Sequence, residues 1–196
     1  MVDFTPGDLS ELVARKNILD VLTRYCRALE RCDVELMRSV YWDDGRDDHG
    51  VFSGDARAFA EFIIDGIQNW FEDAVHAVMN VHVEIFGDTA YTESYFYSLC
   101  TVAADRDKAA AVFGASYVRK WIDARGEPGP HRFFFGGRYV DRLERRMGEW
   151  KIAHRQVVMD WNMNSPASRI LDEGMFATLR LRGVRGRADP VFANIP

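Results

Sequence analysis

Arg155 asks for a chemical explanation before any other residue of this chain. It lies in Gly136–Trp161, GGRYVDRLERRMGEWKIAHRQVVMDW, which reads as two long strands joined at Met147-Gly148, and its strand is otherwise largely apolar. A guanidinium does not give up its proton inside a protein, so placing it there is costly unless an anion meets it. That anion is either a buried carboxylate, which makes the arginine structural, or negative charge that develops on a bound substrate. Two other groups can do chemistry from where they stand. Asp33 opens a helix after an apolar one, so its carboxylate can cap that helix or point into the gap between layers. His76 precedes an alternating strand, where an imidazole can reach the mouth of a sheet and work as a base near neutral pH. The other histidines offer less. His82 alternates with apolar residues and should face solvent or another subunit, His49 and His131 fall in loops, and His154 has the opposite strand parity from Arg155. Tyr25, Tyr95, Tyr97 and Tyr139 are candidates to line a cavity, with core packing as the plainer reading of each.

Composition narrows the class of protein. The 196 residues fit one domain, large enough to close a core without disulfides, and 47% apolar with 28% charged residues is ordinary for a globular chain. Thirteen Phe, seven Tyr and five Trp suit an aromatic-lined pocket as well as a thick core. A formal charge of −5 gives no overall attraction to nucleic acid, and Arg142, Arg145 and Arg146 read as a solvated turn. Cys26, Cys32 and Cys100 are odd in number and unpaired in spacing; Cys26 falls on an apolar helical face. With no CxxC or HExxH pattern, neither a metal nor another cofactor is expected. MVDFTPGDLSEL lacks a basic region followed by an apolar run, and no apolar stretch approaches the ~20 residues that cross a bilayer. The expectation is a cytoplasmic protein with no membrane partner.

The elements follow from periodicity. Leu12, Leu19, Leu22, Cys26 and Leu29 form a helical stripe over about Leu9–Arg31, and Asp33 starts a second short helix, VELMRSVYW. WDDGRDDHGVFSGD reads as a loop with a short strand at Val51-Phe52. Asp55 caps a third helix with Phe59, Phe62, Ile63, Gly66, Ile67 and Trp70 on one face. The period then changes: Met79, Val81, Val83 and Ile85 alternate with Asn80, His82 and Glu84, as in a half-buried strand. Gly87-Asp88 turns into TAYTESYFYSLCTVA, a second strand, and Phe133–Arg145 and Glu149–Asn162 supply two more. Between them, Ala104–His131 either extends the strands or forms a short helix, and RGEPGP is a loop. After Ser165, SRILDEGMFATLRL can form a helix, followed by a Gly/Arg/Pro-rich end. Helices first and strands afterwards predict an α+β fold: a curved antiparallel sheet, a cone-shaped half barrel, covered by about three N-terminal helices, with a C-terminal extension. Residues 1–165 would be the barrel domain and 166–196 an extension of it or an oligomer contact. A pocket between the two layers is the expected ligand site.

This order of elements resembles the SnoaL-like family of the nuclear-transport-factor-two-like superfamily. The likeness runs over about Leu9–Asn162 and is carried by YCRALERCDVELMRSVYWDD, HAVMNVHVEIFGDTAYTESYF and above all GRYVDRLERRMGEWKIAHR. In related dehydratases and dehydrochlorinases an Asp–His pair acts with an arginine on the last strand. The resemblance places these on Asp33, His76 and Arg155, and so implies a cofactor-independent lyase. His76 would take a proton from carbon, Asp33 would hold the imidazole, and Arg155 would stabilise the developing charge. The substrate implied is small, hydrophobic and cyclic or polycyclic. Proton return to another carbon would make the same site an isomerase or cyclase. The fold also serves ring-hydroxylating dioxygenase β subunits and ligand-binding domains, and a homo-oligomer, dimer or trimer, is expected in each case. Ala28, Cys32 and the lack of histidine from Ala90 to Ala104 depart from the characterised relatives, so none of their substrates carries over.

Overall fold

The structure is a computed structural model that describes residues 5–126 and 129–194. Met1–Phe4, Glu127-Pro128 and Ile195-Pro196 lie outside the described residues, and with them the start of the N-terminal segment and the centre of RGEPGP. Helix α1 (Pro6–Arg31) begins at a capping box in which Thr5 and Asp8 satisfy each other's N–H groups. It ends at Cys32, whose left-handed backbone (φ 49°) turns the chain sharply and makes Asp33 the cap of α2 (Val34–Ser39). Helix α3 (Ala56–Trp70) is capped by Asp55. Six strands follow the order β2-β1-β6-β5-β4-β3. They are β1 (Tyr41–Asp48), β2 (Ser53–Asp55), β3 (Phe71–Phe86), β4 (Thr89–Val102), β5 (His131–Arg146) and β6 (Glu149–Pro166). All pairs are antiparallel except β1 with β6, which is parallel.

The α+β architecture and the curved sheet under three leading helices are as the sequence predicts. Ile18, Val21 and Tyr25 from α1 and Phe59, Ala60 and Ile64 from α3 pack on Phe96, Tyr139 and Ile152 of the sheet. Two segments differ from expectation, and a third takes the helical form of the two foreseen for it. The stretch read as a loop, Trp42–Asp55, holds β2 and all of β1 but Tyr41 rather than a strand at Val51-Phe52, and the second helix stops at Ser39, so Tyr41 and Trp42 belong to β1. Ala104–His131 holds α4 (Arg106–Phe113), α5 (Ala115–Val118) and a π-helical turn, which bury Ala109, Val118 and Ile122 in a small separate core. The expected helix over SRILDEGMFATLRL is only a 3-10 turn at Gly174–Thr178. Its apolar side chains Ile170, Met175, Leu179 and Leu181 stay exposed, so no buried face offsets the cost of helix nucleation.

Register slips in the sheet decide which side chains face the interior. In β3 the pairing slips by one residue between Met79 and His82, with Asn80 in the left-handed conformation (φ 49°). Beyond this bulge Val81, Val83 and Ile85 face the core, whereas before it Ala74, His76 and Val78 do; Val75 and Ala77 are exposed. Unbroken alternation from Val81 would have turned His76 to the outer face. In β5, Gly136 and Gly137 flank a second slip opposite the unpaired Asp160, and a Cβ on Gly137 would collide with the Val158 carbonyl oxygen. Asn80→Val should therefore lower stability by about 1–2 kcal/mol through the left-handed backbone alone, while Asn80→Gly should be close to neutral. Urea denaturation of the two variants checks this, and equal losses would show that the backbone conformation is not what selects asparagine.

Candidate active site

The anion that meets Arg155 is Asp141. The two residues face each other across the β5–β6 hairpin, and Nε and Nη2 of Arg155 donate to Oδ1 and Oδ2 of Asp141, both at 2.7 Å. On the other side of Arg155, β1 brings Asp47 into register, and beyond Asp141 stands Thr92 of β4. Asp47, Arg155, Asp141 and Thr92 thus form a polar row across four strands, all buried. Asp47 accepts the Tyr41 hydroxyl at 2.6 Å and pairs with Nδ1 of His49 at 3.1 Å. The guanidinium lies between the rings of Tyr25 (4.0 Å) and Tyr139 (4.1 Å), a cation–π sandwich that fixes its plane. Burial opposes its charge, but the Asp141 carboxylate outweighs that and keeps it protonated. Burial likewise raises Tyr25, Tyr41 and Tyr139 well above the usual phenol range, so all three remain neutral. Nη1 of Arg155 and the hydroxyl of Tyr25 are left buried without hydrogen-bond partners.

His76 opens on a different space. A cleft of about 330 Å³ lies between α1, β3 and the C-terminal segment, lined among others by Cys26, Glu30, His76, Val78, Asp189 and Val191. Because β3 is an edge strand, the His76 backbone N–H is not used by the sheet; Oε1 of Glu30 accepts it at 2.7 Å. Nδ1 of the ring is buried with no partner. Burial, helped by the charge of His49, lowers the imidazole to about 4, so it is neutral at pH 7. Burial pushes the neighbouring Cys26 thiol up to about 12, which removes it as a nucleophile. The C-terminal wall is held by Asp189, which accepts the N–H groups of Val184 and Val191 and pairs with Arg31. Among the described residues no group of three or more His, Cys, Asp or Glu side chains is arranged to hold a metal, and no helix is long and apolar enough to cross a membrane.

The sequence profile of the SnoaL-like domain matches residues 10–156, about three-quarters of the chain. The chain belongs to the SnoaL-like domain family. No curated protein matches the sequence. Among solved structures, this SnoaL-like domain is similar to the hexachlorocyclohexane dehydrochlorinase LinA-type3 of Novosphingobium barchaimii LL02, with a TM-score of 0.64 at 16% identity over 83% of this chain and 97% of that one. A candidate scytalone dehydratase of Novosphingobium aromaticivorans superposes with a TM-score of 0.60 at 15% identity, covering 82% and 91%. A Nostoc punctiforme protein of unknown function with a cystatin-like fold gives 0.54 at 15%, covering 81% and 96%. At such identities the likeness is one of fold.

The SnoaL-like domain does not bring its expected residues together as a triad. Oδ1 of Asp33 accepts the Leu36 N–H at 2.9 Å, so its carboxylate serves as a helix cap, and no hydrogen bond joins it to the His76 ring. The carboxylate beside His76 is that of Glu30, one helical turn earlier on α1 and bonded to its backbone. Arg155 is committed to Asp141, inside the core. Tyr25 and Tyr139 face the interior, but Tyr95 and Tyr97 stand on the outer side of β4, where alternate residues are exposed, and Tyr97 packs edge-on with Trp161 there. Sequence reasoning missed Asp47, His49, Tyr41, Asp141 and Glu30. The signal available was the local excess of acidic residues around Asp47, which a polar loop would equally explain. His49 does lie in a loop, just past β1, but His131 does not: it begins β5, is buried, and bonds through Nδ1 to the Tyr117 hydroxyl at 3.0 Å.

Arg155→Met leaves the buried Asp141 carboxylate without its cation and should cost about 3–5 kcal/mol, whereas Arg155→Met combined with Asp141→Leu should recover much of that loss; a single-variant loss under about 1 kcal/mol by urea denaturation would contradict the pair's role. His76 titrates near 4 when folded and about 6.5 when unfolded, so between these values the unfolded chain binds the extra proton and stability falls on acidification. The wild type should accordingly lose more stability between pH 7 and 4.5 than His76→Gln does. Equal losses would mean that the imidazole is not held neutral by the fold.

Proposed function

We propose that this SnoaL-like domain is a cofactor-independent lyase of the dehydratase type, acting on a small hydrophobic, cyclic or polycyclic substrate bound at the His76 cleft. The observation that carries this reading is the neutral imidazole of His76, with a buried nitrogen that no protein group satisfies, in the wall of a cleft of ligand size. His76 removes a proton from a carbon made acidic by a neighbouring carbonyl or unsaturation. Arg27 and Arg31, the cations in the wall of that cleft, stabilise the charge that builds on an enolate or a departing hydroxide or halide, and Arg155, buried against Asp141, is not among the lining residues. Asp33 is a positioning residue: it fixes the junction after α1, the helix from which Glu30 holds the His76 backbone. Family membership and likeness in fold to a dehydrochlorinase and a candidate dehydratase support the reaction class. Proton return to a second carbon would make the same groups an isomerase. The protein would work in the cytoplasm as a homo-oligomer.

A second reading, a ligand-binding domain or a non-catalytic β subunit without turnover, draws on the complete pairing of Arg155 with Asp141. Elimination from a panel of aryl-substituted β-hydroxy ketones separates the two. His76→Ala should lower kcat by about 10²–10⁴-fold with the fold intact by circular dichroism, while Asp33→Asn should change it far less. Ligand retention with no product, or turnover indifferent to His76→Ala, would favour the binding reading.

A further inference from the structure

The acids and cations in the wall of the His76 cleft are unequally matched. Thr23, Arg27, Glu30 and Arg31 recur at three- and four-residue spacing, so they form one stripe of α1 along the cleft. Both carboxylates of the lining, Glu30 and Asp189, turn to Arg31. Glu30 also accepts the His76 N–H, and Asp189 accepts the N–H groups of Val184 and Val191. Arg27 is different. Among the described residues its side chain has no hydrogen-bond or ion-pair partner, and its guanidinium rests on the Phe192 ring, 5.5 Å from the centroid. A cation on an aromatic face keeps its N–H edge free for an anion in the guanidinium plane. Val78 and Val191 supply the apolar part of the same wall, and the His76 ring, whose Nδ1 has no partner, lines it too. One cleft thus holds two unmet demands, a half-buried cation and an imidazole nitrogen. A ligand that meets both must carry an anion.

We propose that Arg27 binds a carboxylate of the substrate, and that the substrate is an α-keto acid with a hydroxyl β to its ketone; the inference rests on the lyase reading above. Arg31 is shared between two carboxylates, so most of the task of meeting new charge falls to Arg27. Its planar fork presents two N–H groups side by side. A carboxylate oxygen and the adjacent ketone oxygen of an α-keto acid can lie in one plane and take one N–H each. Binding the acid therefore also sets a donor on the oxygen that becomes the enolate. In the step, His76 takes the proton from the carbon between the ketone and the carbinol, and the C–H electron pair passes into the enolate. Return of that pair forms the C=C bond as the C–O bond breaks. The oxygen leaves as water with the proton that His76 had taken, so no co-reactant is consumed.

The test uses the full chain with two probes, the aldol of benzaldehyde with pyruvate and the methyl ester of that aldol, which keeps the ketone and loses the charge. Loss of water gives a conjugated product followed by absorbance. Arg27→Met should lower kcat/KM for the acid about 10–10²-fold more than for the ester. Arg187 is a second cation on the Phe192 ring but lies outside the cleft lining, so Arg187→Met should leave both compounds within about twofold. Calorimetric binding of the dehydrated acid, benzylidenepyruvate, needs no turnover, and its affinity should fall about 10–10²-fold in Arg27→Met. Equal losses on acid and ester in Arg27→Met, an unchanged affinity for benzylidenepyruvate, or the same selective loss in Arg187→Met overturns the assignment to Arg27. Elimination that still depends on His76 then leaves the lyase reading in place. Conversely, no elimination of either compound, or elimination indifferent to His76→Gln, overturns the lyase reading, while an affinity for benzylidenepyruvate that depends on Arg27 would still uphold the carboxylate site.

Discussion

A cation that cannot be neutralised, placed at the centre of the sheet, sets the terms for everything around it. Arg155 must have an anion in the plane of its guanidinium, and only the neighbouring strands can supply one there. Asp141 does so with two parallel hydrogen bonds, and Asp47 closes the other flank from β1. Tyr25 then covers the guanidinium from α1 and Tyr139 from the sheet. One side chain thereby ties together the closing hairpin, the parallel β1 strand and the first helix. Its net contribution to stability need not be large, since desolvation of three charges offsets most of the attraction. Its effect on register is larger. A slip of one residue in either β1 or β5 would leave a buried charge facing an apolar group, so the row selects one pairing among many.

That register could not be counted from the turn. A regular hairpin closing at Met147-Gly148 pairs Arg146 with Glu149 and would set Arg155 against Val140. The pairing slips between Arg142 and Leu143, with Ala153 as the extra residue, and Arg155 meets Asp141 instead. The same kind of irregularity decides the orientation of His76, whose parity is reversed by the left-handed Asn80. Both orientations depend on bulges, and bulges leave little trace in hydrophobic periodicity. An asparagine inside a strand and an alanine between an isoleucine and a histidine are each compatible with unbroken alternation.

What could be read from the chain were features governed by local rules. The helix caps at Asp33 and Asp55, the long apolar stripes of α1 and α3, the turns at Gly87-Asp88 and Met147-Gly148, and the α+β order all rest on nearest-neighbour chemistry. What stayed hidden depended on partners far away in sequence. The polar strand β1 has no apolar alternation to announce it, because its inward Asp47 is satisfied by Tyr41 and the Arg155 row and not by apolar packing. Tyr95 and Tyr97 suit a cavity by residue type, yet the parity of Phe96, buried on the same strand, places them on the opposite face. The C-terminal segment failed as a helix because arginines and Asp189, not apolar contacts, hold it against α1 and α3.

The separation between frame and cleft bears on chemistry. Nε and Nη2 of Arg155 are spent on Asp141, and its Nη1 lies buried with the Tyr25 hydroxyl in the core, outside the lining of the His76 cleft. Charge on a bound molecule must therefore be met by the cations of the cleft wall, Arg27 and Arg31, and burial has removed the phenols and the thiol from proton delivery there. The same commitment that fixes the sheet thus narrows which side chains can complete an elimination. It also leaves the cleft-facing part of β3 and the C-terminal wall outside the set of groups that hold Arg155 in register.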